Sequence, residues 1–223
     1  MAQTEQKQRI NIGCGASPTP GWLNMDGSLT VWLAKHPILL GFLRVCRLVG
    51  SSQLAFARYI EVNKLDMIFA NATKRIPLKD GTATAVYSSH MLEHLDTIEV
   101  SRFLNEVYRV LAVGGTLRIA VPDLLKHARR YTEESRDADA FVTSTLLAPG
   151  KPRGLAGRLI YLAVGNRQYH LWMYDASSLK RRLRSVGFRD VLEISAGCTT
   201  IPDPGQLNLR EREQESVYVE AKR

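Results

Sequence analysis

Cysteine is scarce in this 223-residue chain: Cys14, Cys46 and Cys198 stand far apart, with no CxxC pair and no cysteine–histidine cluster. An odd, scattered set argues against a disulfide framework and against a zinc site, and it fits a reduced, cytoplasmic setting. Long apolar runs are missing as well. The most apolar stretch, Pro37 to Leu43, runs into Arg44 and Arg47, whereas a membrane-spanning helix needs about 20 apolar residues. Met1 to Arg9 is polar and has no apolar signal core. There is no Gly-Lys-Ser/Thr triplet for a P-loop, no internal repeat and no low-complexity tract. Acid is in the minority: 22 Asp and Glu against 30 Lys and Arg give a net charge of +8. That excess suits an anionic partner such as nucleic acid, acidic lipid or a charged substrate, and equally suits a solvated basic surface.

What is present is an ordinary globular composition, 45% hydrophobic and 23% charged, in a length suited to one α/β unit. Strand-like and helix-like segments alternate, which predicts a mostly parallel sheet with helices on both faces. Strands are expected at 9–12, 22–25, 67–70, 83–88 and 116–121. Residues 189–194 and 216–221 add two more, joined by a connection long enough for a final antiparallel pair. The clearest helix follows Asp96, whose spacing to Glu99 is that of a capping box, with Val100, Phe103, Leu104, Val107 and Leu111 on one face. Gly114-Gly115 is expected to stop it. A second helix spans 177–186 and closes at Gly187. Residues 28–60 read as helical, with breaks at Pro37 and Gly50-Ser51-Ser52. Residues 124–132 also read as helical, and 136–168, with several Pro and Gly, reads as an insertion or lid.

The first strand runs into Gly13-Cys14-Gly15, where the missing Cβ atoms allow close backbone approach to a nucleotide. The third glycine of a dinucleotide fingerprint is replaced by Pro18, which speaks against NAD. Asp26 ends the second strand, where a carboxylate can accept both hydroxyls of a ribose. It follows Gly15 sooner than in dinucleotide folds, as suits a ligand without pyrophosphate. A turn aspartate before Gly27 is the plainer alternative.

Taken in order, Ile10 to Gly15, Gly21-Trp22-Leu23-Asn24-Met25-Asp26, Asn71 to Gly81, Ser88-Ser89-His90-Met91-Leu92-Glu93-His94-Leu95 and Tyr108 to Gly115 resemble the class I S-adenosylmethionine-dependent methyltransferases of the type 11 group. The resemblance covers about residues 9–123. It implies a Rossmann-like α/β fold and S-adenosyl-L-methionine as cofactor. The whole chain, 1–223, would be a single methyltransferase domain, with inserted segments at about 28–60 and 124–170 covering an acceptor site. Gly13, Cys14 and Gly15 would face the methionine portion and Asp26 the ribose. Asn71, beside Ala72, stands where an aspartate usually meets the adenine amino group, and an amide oxygen can accept the same hydrogen bond. Ser88 and Ser89 would lie near the methyl end.

A hydroxyl acceptor needs a base near neutral pKa, for which histidine is suited. His90 is the first candidate as base or acceptor ligand; fixing its loop by hydrogen bonds is the other reading. His170, among Tyr169, Trp172 and Tyr174, could line an acceptor pocket or belong to a packed hinge. Asp123 could bind an acceptor hydroxyl. Glu93 and His94 are read as structural.

Residues 28–60 have the composition of an interfacial helix and also of helices packed on a sheet. The segment leaves weak membrane-surface contact and a homodimer open. Lys126, Arg129, Arg130, Lys151, Arg153, Arg158 and Arg167 could draw an anionic acceptor or form a solvated face. Relatives sharing the Asp26-Gly27-Ser28 continuation look like companions of glycan-building enzymes, so a sugar or glycan hydroxyl is the leading acceptor. Methylation of RNA and a binding protein without turnover are the alternatives. No recognisable RNA-binding module appears, and sequence-specific nucleic-acid binding is not expected.

Overall fold

The computed structural model describes residues 8–45, 51–62, 67–147 and 169–223. Its centre is a seven-stranded sheet: β1 (Gln8–Ile12), β2 (Leu23–Asp26), β3 (Met67–Phe69), β4 (Ala83–Ser89), β5 (Leu111–Pro122), β6 (Arg189–Ile194) and β7 (Ser216–Lys222). The strand order is β3-β2-β1-β4-β5-β7-β6. All neighbours among β1 to β5 are parallel, and β7 runs antiparallel between β5 and β6. The chain reverses its direction of travel across the sheet between β1 and β4. The carboxyl ends of those strands therefore open a crevice, the usual ligand position in an open α/β sheet.

The pleat gives the two faces different chemistry. One row holds Ile12, Ser88, Ile119 and Val219, neighbours across four strands. With Ile10, Val86 and Leu117 it forms the main core, covered by helices α4 (Thr97–Val110) and α7 (Ala176–Val186). α4 starts at the expected capping box: Asp96 Oδ1 accepts from Ile98 N and Glu99 N, both at 2.8 Å, and Glu99 Oε2 accepts from Asp96 N. α7 has its own box at Asp175 and Ser178 and ends at Gly187, whose φ of 112° suits a residue without Cβ.

The helix end at Gly114-Gly115 is corrected. α4 stops at Val110, and Leu111 is already strand, paired with Ala83. The register shifts before Thr116 pairs with Ala85, so the two glycines form a bulge inside β5. A Cβ on Gly115 would stand 2.9 Å from Ala112 O and 3.1 Å from Ala83 O. Apolar periodicity continued past Val110 because both elements bury the same side.

The opposite face carries a polar row. Asn24, Asn11, Tyr87, Arg118 and Glu220 are successive neighbours across β2, β1, β4, β5 and β7. Every one is at least nine-tenths buried, so each polar atom needs a partner. Arg118 and Glu220 pair at 2.7 Å, and Arg118 also donates to Cys198 O and Leu209 O. Glu220 accepts from Thr199 Oγ1, Thr200 N and Thr200 Oγ1, each at 2.6 Å. Burial alone pushes the Glu220 carboxyl up, but these donors outweigh it and hold it below the usual range. The β6–β7 connection is thus pinned over the sheet where a helix would otherwise lie, with Ile201 and Leu207 packed on Trp22 and Tyr87.

Residues 28–60 divide as expected into helices, α1 (Leu29–Ala34), α2 (Pro37–Val45) and α3 (Ser51–Val62). Ser28 caps α1, and Pro37 takes the first position of α2, where its missing N–H costs nothing. Val31 and Ile60 bury against Cys14 and Met67 on the polar-row face, so this part packs. α2 keeps Ile38, Phe42 and Val45 exposed, and the interfacial composition resides there. Among the described residues no helix is long and apolar enough to cross a membrane. α5 (Leu124–Arg130) continues through a wide turn at Tyr131–Ser135, and α6 (Ala138–Thr145) occupies the start of the expected insertion. The rest of that insertion, with Lys151, Arg153, Arg158 and Arg167, lies outside the described residues, as does Cys46.

Candidate active site

The glycine loop closes on the end of β2. Gly13 N and Cys14 N both donate to Met25 O, at 2.8 and 3.3 Å. Gly13 has φ of 71°, and a Cβ there would lie 2.7 Å from Met91 Sδ, so Met91 packs over it. Gly15 differs: its φ is 48° and no atom lies within 4 Å of the place a Cβ would take. That open space above a left-handed backbone is where a ligand can approach closely. Asp26 joins the loop to the next helix, with Oδ2 accepting from Gly15 N at 2.9 Å and Oδ1 from Ser28 N at 2.7 Å. Each carboxylate oxygen keeps a second lone pair for a ribose hydroxyl. Burial, and then the Asp26 charge, push the Cys14 thiol up to about 12. It is a neutral packing group, not a nucleophile.

At the end of β3, Asn71 Oδ1 accepts from Thr73 N at 3.0 Å and Thr73 Oγ1 at 2.7 Å. Its oxygen serves a turn, and an adenine amino group would have to take the place of the Thr73 hydroxyl. Ala72 turns into the core. Ser88 is fully buried, with its hydroxyl 3.9 Å from Met91 Sδ, and the Ser89 hydroxyl is also buried at the tip of β4. An open glycine cradle, a carboxylate ending β2 and hydroxyls ending β4 fit a nucleoside with a short tail.

The acceptor candidates fall in two groups. Asp123 caps α5 through Leu125 N at 3.0 Å and pairs by backbone with Tyr174, so it ties β5 to the segment before α7. His90, Glu93, His94 and His170 come together after β4. His90 sits at φ 48°, its N–H donating to Ala120 O. Its Nε2 donates to Ser216 Oγ at 2.9 Å, because that hydroxyl itself donates to Glu211 O. Its Nδ1 lies 3.2 Å from Glu93 Oε1. With both nitrogens engaged, His90 has the geometry of a histidine that fixes its loop. His170 is buried and its Nδ1 contacts Thr145 O at 2.8 Å. Burial, opposed next by the Glu93 charge, holds its pKa below the ordinary histidine value.

Glu93 is the residue that sequence reasoning undervalued. Its side chain is wholly buried, and its backbone carbonyl accepts from Leu171 N and Trp172 N at 2.6 and 3.2 Å. The aromatic stretch is split by these contacts: Trp172 stays half exposed, while Tyr174 is buried in the core. A polar residue at an inward position of a helical turn was the available signal.

A cavity of about 140 Å³ lies beside the glycine loop, lined by Ser17, Thr19, Tyr87, Gln206, Asn208 and Glu211 among others. Tyr87 of the polar row lines it, and two others of that row hold its Thr19 wall: Asn11 Nδ2 donates to Thr19 Oγ1 at 3.0 Å, and Asn24 Oδ1 accepts from Thr19 N at 2.8 Å. A larger depression near Arg9, Ala112 and Asp203 lies where β1, β4 and β5 begin, away from the crevice.

Residues 10–119 match a family profile described as a methyltransferase domain. No curated protein matches the chain in sequence. Among solved structures, a SAM-dependent methyltransferase from Methanosarcina mazei aligns with a TM-score of 0.53 at 14% identity, covering 99% of this chain and 93% of that one. A SAM-dependent methyltransferase from Archaeoglobus fulgidus gives 0.50 at 16% identity, covering 98% and 87%. At these identities the likeness is one of fold, and the domain match supplies the family. Residues 10–119 are a methyltransferase domain of the class I S-adenosylmethionine-dependent type, and S-adenosyl-L-methionine is its cofactor.

Proposed function

We propose that the enzyme methylates a hydroxyl of a small polar acceptor, with a sugar or glycan as the leading class. The observation that carries this reading is the cavity beside the glycine loop. Its hydroxyl, amide and carboxylate walls, from Ser17, Thr19, Tyr87, Gln206, Asn208 and Glu211, suit the many donors and acceptors of a sugar ring. Among the described residues no lysine or arginine lines it, which disfavours a phosphate-bearing group or RNA at that point.

When bound, S-adenosylmethionine supplies a methyl group already activated on a sulfonium sulfur, so the protein mainly aligns the partners. Gly15 admits the methionine portion while Gly13, under Met91, turns the loop toward it; Asp26 accepts from the ribose, and Ser88 and Ser89 border the methyl end. The hydroxyl proton leaves as the new bond forms. His170 is the base candidate with a ring nitrogen turned away from its backbone anchor, while His90 and Asp123 hold the surrounding segments. The whole chain then acts as one domain, with the segments at about 28–60 and 124–170 covering the acceptor.

The test is a screen with methyl-labelled S-adenosylmethionine against sugars and glycans, small amines and RNA, read by mass spectrometry. A methyl ether on a sugar is expected. Label appearing only on an amine or on RNA would overturn the acceptor reading. S-adenosylhomocysteine binding without transfer to any acceptor would favour a protein that does not turn over.

A further inference from the structure

The buried Glu93 carboxylate is surrounded by imidazoles and not by a permanently charged side chain. Neither oxygen of this fully buried carboxylate accepts a hydrogen bond of sound geometry, and the nearest nitrogen is His90 Nδ1. Among the described residues no lysine or arginine nitrogen lies within ion-pair distance of it. Its neighbours are three imidazoles: His90 Nδ1 at 3.2 Å, His94 Nε2 at 4.0 Å and His170 Nε2 at 4.0 Å from Oε1.

Hydrogen bonds on the far side of two rings fix which nitrogens are bare. His94 Nδ1 meets Tyr169 O at 3.0 Å, and His170 Nδ1 meets Thr145 O at 2.8 Å. A carbonyl only accepts, so both Nδ1 atoms carry hydrogen, and in the neutral rings both Nε2 lone pairs point toward the carboxylate. Lone pairs facing a buried anion repel unless something positive stands between them. Metal-ligating histidines commonly use this arrangement, one nitrogen on the ion and the other donating to a backbone carbonyl.

We propose that Glu93, His94 and His170 bind a divalent transition ion of the zinc class through one carboxylate and two imidazoles, with His90 as the outer partner that orients Glu93. The three donor atoms lie within 4.8 Å of one another. Ligands at about 2.0–2.2 Å from an ion stand closer together than that, and side-chain torsions supply the small closure. An all-nitrogen-and-oxygen set without thiolate suits zinc, cobalt, manganese or iron(II). Three protein ligands leave at least one position open, the pattern of a site that also binds water or substrate.

The position matters for the reaction. The turn holding Glu93 and His94 follows β4 directly, and Ser88 and Ser89 precede it. An acceptor hydroxyl on the open position would be acidified by the ion, as bound water is, and with Nε2 on the ion His170 would act as a ligand in place of the base role given it above. That consequence rests on the hydroxyl-methylation reading, whereas the metal site does not.

The experiment uses the full chain without a histidine tag, stripped with a chelator and titrated with cobalt(II), then zinc(II). Calorimetry and the visible cobalt spectrum are the readouts, and S-adenosylhomocysteine binding is measured on the same samples. The expected result is one cobalt equivalent with a ligand-field band, displaced by zinc. Glu93→Gln and His170→Ala should each weaken it at least tenfold while S-adenosylhomocysteine still binds; His94→Ala serves if either fails to fold. Absence of stoichiometric metal binding in a protein that binds S-adenosylhomocysteine overturns the proposal. So does cobalt bound equally by wild type and folded variants. Metal binding without S-adenosylhomocysteine binding would support the metal site and count against the cofactor pocket alone.

Discussion

Replacing Arg118 by methionine keeps most of the side chain's volume and removes its charge. Glu220, 1% exposed, then faces the methionine with only Thr199 and Thr200 as donors. Cys198 O and Leu209 O each lose the guanidinium. Breaking a buried ion pair from one side costs about 3–5 kcal/mol. The surviving threonine bonds place the expected loss near the lower end, about 3 kcal/mol, at neutral pH. Arg118→Met with Glu220→Leu removes the stranded charge, so the double variant should be more stable than the two single losses added together, by at least ~1 kcal/mol. Urea unfolding of the four proteins in one cycle measures this. A loss below ~1 kcal/mol for Arg118→Met, or strict additivity, would refute the view that this pair pins the β6–β7 connection. Because Gln206, Asn208 and Glu211 stand on that connection, the single variant should also raise the acceptor KM more than it changes cofactor affinity.

The other expectations are narrower. Asp26→Ala removes the acceptor for Gly15 N and Ser28 N together with the ribose contact, so S-adenosylhomocysteine affinity should fall at least tenfold in calorimetry; unchanged affinity would remove Asp26 from the site. Gly15→Ala meets no protein atom and should cost about 1–2 kcal/mol of stability from its left-handed backbone alone, yet weaken cofactor binding by more than that amount implies. Gly13→Ala, by contrast, strikes Met91 and should show up chiefly as lost stability in thermal unfolding. His127 is buried against Ser144, and burial followed by Arg130 lowers its pKa from 6.5. The unfolded chain therefore takes up a proton that the fold refuses, and stability should decline as pH falls from about 6.5 toward the folded value. His127→Gln should flatten that decline, and an unaltered pH profile in the variant would dismiss the assignment.

The sheet was legible because its strands are short apolar runs bounded by turn residues, and the α4 cap was legible because Asp96 and Glu99 act locally. The glycine loop and Asp26 could be placed for the same reason: strand ends and turns are written in neighbouring residues. The polar row could not be, since Asn11, Asn24, Tyr87, Arg118 and Glu220 meet only through pairing register across five strands. Nor could the gathering at Glu93. His170 reaches it from 77 positions away in the chain, through a bend fixed by the Glu93 carbonyl. Sequence spacing identifies metal-like clusters when the ligands share a helix or a loop, and here only Glu93 and His94 share a turn. The bulge at Gly114-Gly115 was misread because a helix stop and a strand irregularity use the same residue.

The place of β7 in the sheet has a consequence for how the chain comes to be folded. One edge of β5, with Leu117, Ile119 and Val121, gains its partner only from residues 216–222. During synthesis roughly ninety further residues separate the two strands, about 5–20 s at ordinary elongation rates. Through that interval an apolar parallel sheet would carry an open margin capable of pairing with another nascent chain. The charged residue inside it, Arg118, then acts before its own partner Glu220 has been made: a lone guanidinium in the middle of the margin opposes pairing with an identical strand.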